Sequence, residues 1–276
     1  MLAGATVLLS ASLTHAQLQS TSTATDTTGK VSLNSPVKRV VAKKPKPIAN
    51  EFSAGLRLNT NGWSIFAERG KVQTEETKYR DLFYNVNFAY LEISEQKHPK
   101  ETRSTINGDP QRTRPFVFGK VNNFYTVKAG VGRRKMIAGK PEASTVSVHW
   151  VYGGALSAGL LKPYYIEALV VDQNTGRFEQ QTMKYSEDTK GTFLNEGYVL
   201  GAAGFTKGLN EIKVVPGVSA RSGLHFDFSQ RKRVKLAVEM GVNAELYTKR
   251  IEIMANQKAV PYALNIYASV QAGKRW

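Results

Sequence analysis

The stretch ALNIYASVQAGKRW, residues 263–276, alternates along its whole length. One face reads Leu264, Ile266, Ala268, Val270, Ala272, Lys274 and Trp276; the other reads Asn265, Tyr267, Ser269, Gln271, Gly273 and Arg275. A period of two with one apolar face and one small or polar face describes a strand that has hydrocarbon on one side and a wet or polar space on the other. In a soluble sandwich the apolar face would turn inward. In a membrane barrel it turns outward, and a final aromatic residue sits at the lipid interface. The second reading is preferred, because the same pattern recurs upstream with glycine, alanine and serine crowding the hidden face.

Eight such runs are expected. The first carries Phe52, Ala54, Leu56 and Leu58, and Asn61-Gly62 reads as its hairpin turn, since both residue types accept positive φ. The return strand spans 63–69. The third, starting at Leu82, is assigned Tyr84, Val86, Phe88 and Tyr90 as its apolar face against Asn85, Asn87 and Ala89. The fourth sets Tyr125, Val127, Ala129 and Val131 against Thr126, Lys128, Gly130 and Gly132, and the run 116–121 either extends it or forms a strand of its own. The fifth covers 146–160, the sixth 218–228, the seventh 234–246, and the terminal stretch is the eighth. The connections alternate in length, as they do in a barrel with both chain ends in the periplasm and long loops outside. The expected fold is therefore all-β: an antiparallel up-and-down transmembrane β-barrel of eight strands over residues 51–276, with a long extracellular loop at 162–216.

Before the barrel the chain changes character. Residues 1–16 contain an apolar, small-residue segment and end in Thr14-His15-Ala16 before Gln17, the pattern of an export signal whose positive start is missing, as in a truncated signal peptide. Residues 17–50 are first polar and of low complexity, then basic and proline-rich around Lys38, Arg39, Lys43, Lys44 and Lys46, and read as a disordered periplasmic tether. No run approaches the length of a transmembrane helix.

Lys and Arg number 38 against 22 Asp and Glu, a net charge of +16. The positive residues are scattered through turns, with no recognition-helix, zinc-finger or RNA-stacking signature beside them, so nucleic acid is not the expected partner. The absence of cysteine excludes disulfides, thiolate metal sites and cysteine nucleophiles. No calcium loop or phosphate loop is present, and neither a cofactor nor a metal is expected.

Alternation places Arg221, His225, Asp227, Lys235, Glu239 and Glu245 in the lumen as a polar network. With the 230–232 turn centred on Arg231, Asp227 and Lys235 would face each other and pair. Eight strands leave space for side chains but not for a solute channel. Trp63, Trp150, Tyr152 and Trp276, together with Tyr164, Tyr165 and Tyr247, are expected as membrane-interface aromatics. Within the long loop, residues 201–215 are expected to form a cap with Phe205, Leu209 and Ile212 buried.

The signal followed by Gln17, the polar tether, Tyr152-Gly153-Gly154, the segment 160–165 (LLKPYY), Pro216-Gly217 and the ending Ala272-Gly273-Lys274-Arg275-Trp276 together resemble the small outer-membrane β-barrel proteins of Bacteroidota, over most of residues 50–276. The resemblance implies location in the outer membrane of a Gram-negative bacterium. It also implies insertion by the β-barrel assembly machinery, which acts on a terminal signal at Val270, Ala272, Lys274 and Trp276, and contact with outer-membrane lipid. It carries over no catalytic residue. The expected role is that of a non-catalytic structural or interaction component of the cell envelope, engaging other envelope proteins or cell-wall polymer through its loops and basic arm. Two alternatives stand beside it: a lipid hydrolase of the lipid A-modifying type with His225 or His149 as base, and a soluble or lumenal small-ligand-binding barrel.

Overall fold

The structure is a computed structural model, and it describes residues 49–74, 84–105, 114–139, 145–171, 176–229 and 233–276. The expected export signal, nearly all of the tether, Leu82 and the 230–232 turn lie outside the described residues. Eight long strands close into one antiparallel barrel in sequence order: β1 (Asn50–Asn59), β2 (Gly62–Thr74), β3 (Tyr84–Gln96), β6 (Asn122–Ala138), β7 (Ser147–Pro163), β11 (Lys213–Asp227), β12 (Val234–Ile251) and β13 (Val260–Arg275). Ring closure pairs β1 with β13, from Glu51 opposite Arg275 to Asn59 opposite Tyr267. A closed ladder leaves no sheet edge, which is the condition for placing strands in hydrocarbon. No helix among the described residues is long and apolar enough to cross a membrane.

The exterior carries the apolar set read from the sequence: Leu56, Leu58, Ile65, Val131, Leu156, Val242, Leu264 and Ile266 all point outward and are exposed. Trp63 stands at one rim, Trp150, Tyr152 and Trp276 at the other, and all four are exposed.

The third expected strand has its faces reversed. In β3 the inward residues are Val86, Phe88 and Tyr90, each at most 5% exposed, while Leu91 and Ile93 face out at 61%. The physical reason is fit. Gly132 and Gly130 on the neighbouring β6 leave room for the rings: a Cβ at Gly132 would come within 2.5 Å of Phe88 Cζ, and one at Gly130 within 2.8 Å of Tyr90 Cε1. The aromatic faces also receive arginines, with the Arg134 guanidinium 4.3 Å from the Phe88 centroid and that of Arg221 4.1 Å from Tyr90. A pattern that ends before Leu91 shows the larger residues of this strand without showing what fills the lumen beside them.

The first hairpin is also one residue off the expected position. Asn59 pairs with Gly62, so Thr60 and Asn61 form the two-residue loop and Gly62 opens β2. The glycine is needed for close approach: a Cβ there would lie 2.0 Å from the Glu95 carbonyl oxygen of β3.

At the end of the barrel opposite the start of β1, the segment between β7 and β11 is a folded subdomain rather than an open loop. β8 (Tyr165–Val171) is the centre of a three-stranded sheet, flanked by β9 (Phe178–Lys184) and β10 (Val199–Ala202). One helical turn, Lys190–Phe193, brings Phe193 onto the sheet. Phe116, Ile166, Ala168, Met183, Phe193 and Val199 make a separate buried cluster. The run 116–121 therefore does not extend β6. Phe116–Val117 forms β5, paired with β4 (Arg103–Ser104). The expected cap burial is corrected as well: Phe205 is 66% and Leu209 45% exposed, and Ile212 is half-buried. The subdomain takes its core from Phe116 and from apolar side chains of 166–199, so residues 201–215 are left to return along its surface.

Candidate functional site

The lumen is the place where the chain concentrates ionisable groups. Arg57, Lys128, Arg134, Arg221, Lys235 and Arg275 face Glu51, Glu68, Glu92, Asp227, Glu239 and Glu245, all buried on the inward face of barrel strands. Six positive and six negative groups cancel, so the net +16 of the chain is carried outside the barrel interior.

These groups are tied into two chains of ion pairs. In the lower lumen Glu51 accepts from Arg134 at 2.7 Å, Lys235 at 2.8 Å and Arg275 at 3.1 Å. Arg275 also reaches Asp227 at 2.5 Å, and Tyr84 donates to the same carboxylate. Arg134 continues to Glu68, which accepts from Arg221 at 2.7 Å. In the upper lumen Arg57 pairs with Glu92, Lys128 bridges Glu92 at 3.3 Å and Glu245 at 2.6 Å, and Glu245 also accepts from Gln96, Asn243 and Tyr247 at 2.8, 2.7 and 2.5 Å. Burial on this scale persists because each charge has an opposite partner, whereas an unpaired one would cost several kcal/mol, on the order of 3–5.

The sequence-derived site residues can now be placed. Arg221, His225, Asp227, Lys235, Glu239 and Glu245 all lie inside the barrel. Asp227 and Lys235 do not pair. The β11–β12 register sets Asp227 opposite Ala237 and His225 opposite Glu239, two residues displaced from the expected one. The local cause is Ser229, whose N–H donates to Asp227 Oδ1 at 2.8 Å and whose Oγ accepts from the Leu236 N–H at 3.0 Å, next to a Phe228 N–H to Leu236 carbonyl bond. Lys235 goes to Glu51 and Ser53 instead, and Asp227 to Arg275 and Tyr84.

Tyr247 is corrected from interface anchor to lumenal residue, with its hydroxyl on Glu245 and its ring edge-on to Phe124 at 5.3 Å. Tyr164 and Tyr165 belong to the subdomain. The Tyr164 hydroxyl accepts from the Val117 N–H at 3.1 Å, and burial raises its pKa above the ordinary phenol value. Tyr165 donates to Glu211 at 2.6 Å. Trp63 donates to Glu95 at 2.8 Å, and Trp150 to Ser222 Oγ at 3.0 Å with its ring 5.0 Å from Tyr152. Val270, Ala272, Lys274 and Trp276 share the outward face of β13 and its end.

His149 and His225 are cross-strand neighbours, a juxtaposition that the sequence reading did not make, with ring centroids 6.0 Å apart. Near them are Glu239, 3.2 Å from His225 Nδ1, Gln271 at 3.1 Å, and the Tyr84 ring 5.0 Å from His149. Both imidazoles are buried in the lower lumen, where Asp227, Arg275 and Tyr84 close the space below. Each is 1% exposed among the described residues.

Exposed side chains of another kind gather at the two ends of the barrel. At the lower end, Arg69, Lys71, Arg133, Lys135 and Lys274 point outward and are exposed, and among the described residues none has an ion-pair partner. Register puts Arg133 beside Tyr152, Lys135 beside Trp150, and Arg69 and Lys274 on either side of Phe52. At the upper end, β9 is the border strand of the subdomain sheet, and six of its seven residues, Phe178 among them, are exposed.

No family model matches the chain, and no curated protein matches it. Among solved structures it is similar to Neisserial surface protein A, at 8% identity over 82% of this chain and 94% of that one, with a TM-score of 0.33. It is also similar to a major outer membrane protein from Thermus thermophilus, at 7% identity over 83% and 100%, with a TM-score of 0.39. A third is the N-terminal β-barrel domain of Pseudomonas aeruginosa OprF, at 8% identity over 83% and 97%, with a TM-score of 0.29.

Proposed function

We propose that this chain is an outer-membrane β-barrel of a Gram-negative cell envelope that works without catalysis, as a structural or interaction component. The observation that carries the reading is the contrast between a closed barrel with an apolar exterior and a lumen filled by mutually paired ions. An apolar exterior needs lipid, and a filled lumen conducts no solute. The exposed cations beside Trp150, Tyr152 and Phe52 suit the phosphate level of a bilayer, where aromatic and basic side chains anchor a barrel. On this reading the subdomain at the other end faces the outside, and the basic arm before β1 lies in the periplasm.

The upper subdomain is the interaction element. Its border strand β9 has, among the described residues, no strand on its outer side, the arrangement by which an extended segment of another envelope protein adds to a sheet. The periplasmic arm would meet cell-wall polymer or envelope proteins through Lys38, Arg39, Lys43, Lys44 and Lys46. Insertion would proceed through the β-barrel assembly machinery acting on β13. The likeness to the Bacteroidota barrels belongs to this proposal.

The test is an SDS gel of fractionated outer membranes, run unheated and boiled. A closed ladder that survives SDS migrates differently until heat opens it. A mobility shift in the outer-membrane fraction supports the reading, whereas an unshifted band in the soluble periplasmic fraction sinks it. Alanine at both His149 and His225 should leave partner crosslinking from position 178 intact. Loss of a lipid-hydrolysing activity in that double variant would favour the enzyme instead.

A further inference from the structure

The barrel wall has a step at its upper rim. β1 stops at Asn59 and turns within two residues, but β13, its neighbour, continues from Tyr267 back to Val260. The last β1–β13 pair is Asn59 with Tyr267, reinforced by the Thr60 N–H to the Ile266 carbonyl at 3.0 Å. Residues 260–265 of β13 therefore lie along β12 and, among the described residues, have no strand on their other side. Across the gap stands the end of β3 at Gln96, with Lys97, His98 and Pro99 following it.

A cavity of about 320 Å³ occupies this gap. Its apolar walls come from Phe124, Tyr247, Ile251, Ile253 and Met254. Ala263 and Asn265 line it from the inward side of β13, and Tyr262 and Leu264 from the outward side, so the space wraps the free edge of the strand and opens toward the outer surface of the barrel. The floor is polar and closed: Gln96 and Tyr247 both hold Glu245, whose other oxygen is taken by Lys128 and Asn243. The roof is fastened, with Lys100 Nζ donating to Gln257 Oε1 at 3.1 Å and the Ala255 N–H to the Gly119 carbonyl at 2.8 Å.

Charge at the rim is one-sided. Lys97 and Lys258 both line the cavity, and among the described residues neither ammonium has an ion pair. Glu245 is paired with Lys128 in the floor, and Glu95, which accepts from the Trp63 indole, and Glu252 stand outside the cavity lining. An apolar slot with two unpaired cations at its lip, opening sideways at the top of the apolar exterior, has the chemistry of an amphiphile site. Its volume is at the small end of ligand pockets, about 300–1,000 Å³, which fits one chain and not a two-chain lipid.

We propose that this notch binds a single-chain anionic amphiphile, with the acyl chain against Phe124, Ile251, Ile253 and Met254 and the head at Lys97 and Lys258. The site is independent of the partner-binding role assigned to the subdomain. It stands or falls separately from it.

The experiment uses the full chain, purified and held in amphipol so that detergent does not compete, titrated with 11-(dansylamino)undecanoate. Saturable, one-site fluorescence enhancement is expected, displaced by dodecanoate or dodecyl phosphate and about tenfold less well by dodecanol. The better competitor of the two anions identifies a carboxylate or a phosphate head. Ala259→Trp, which fills the slot from the roof, and Lys97→Glu with Lys258→Glu, which changes only the half-exposed rim, should each weaken binding by about tenfold or more. Heat-shifted gel mobility checks that each variant is folded. A non-saturable signal, equal displacement by dodecanol, or unchanged affinity in the folded charge-reversal variant would overturn the proposal.

Discussion

Lys235 of β12 donates to Glu51 of β1 at 2.8 Å, although the two stand 184 residues apart in the chain. Glu51 is the meeting point of three cations, Arg134, Lys235 and Arg275, and so a single carboxylate joins strands from both ends of the sequence. Glu51→Gln keeps the shape and removes the charge, leaving those cations buried with one partner fewer. The expected loss is on the order of 3–5 kcal/mol, read as a lower urea midpoint and a lower temperature for the gel-mobility shift. Adding Lys235→Met should cost less than the sum of the two single changes, because both act on one network.

The reversed face of β3 makes a labelling prediction that needs no background correction, since the chain has no cysteine. Leu91→Cys should react with a membrane-permeant maleimide or quench against a lipid-borne probe, and Phe88→Cys should stay silent in the folded barrel. The opposite pattern would restore the sequence-derived assignment. Phe88→Ala should in addition destabilise by about 3–5 kcal/mol, since it empties part of the lumen and removes the ring against Arg134.

Gly62 and Gly191 should respond differently to the same substitution. A methyl at Gly62 would meet the Glu95 carbonyl at 2.0 Å, and that contact is with backbone, which cannot swing away; a methyl at Gly191 meets nothing within 4 Å. Gly62→Ala should cost about 1–3 kcal/mol. Gly191→Ala, in the helical turn, should be neutral or slightly stabilising, by about 1 kcal/mol at most. Urea midpoints of the two variants decide it.

The upper subdomain should loosen in acid. Lys184 and Tyr165 both hydrogen-bond Glu211, and the bond from Lys184 comes first in holding its carboxyl below the usual carboxylate range; the same bonds raise Lys184 and Tyr165 above their ordinary values. A depressed carboxyl contributes above its unfolded value and loses that contribution as pH falls through the folded one. The raised Lys184 contributes fully below its own unfolded value and loses this as pH rises through the folded one, so the cluster works from the weakly acid to the weakly alkaline range. It joins β8 and β9 to the segment just before β11, and because it is exposed the effect is small. Proteolytic nicking of 172–212 should increase as the buffer is taken down through the carboxylate range, and Glu211→Gln should nick equally at both ends of it.

Much of the barrel was legible because strand alternation is a local property. In β1, β6, β7, β11, β12 and β13 each inward residue differs from its neighbours in size or polarity, and Lys235, Glu239 and Arg221 could be assigned to the lumen from spacing alone. The alternation failed in β3, where both faces carry apolar residues and the aromatic one is the lumenal one. It said nothing reliable about 162–216, where the period-two runs are short and the core is assembled from Phe116, Ile166, Met183, Phe193 and Val199, spread over a long stretch of sequence.

The sequence by itself determined the eight barrel strands, their meander order and the sign of the alternating face in β1, β6, β7, β11, β12 and β13, because these follow from backbone pleat and side-chain polarity within single segments. Only the tertiary structure decided which charges meet. The pairing of Lys235 with Glu51 rather than Asp227, the Glu245 floor beneath the notch and the side-by-side placing of His149 and His225 depend on register and ring closure. A two-residue shift of one hairpin leaves every residue on its face and gives it a new partner.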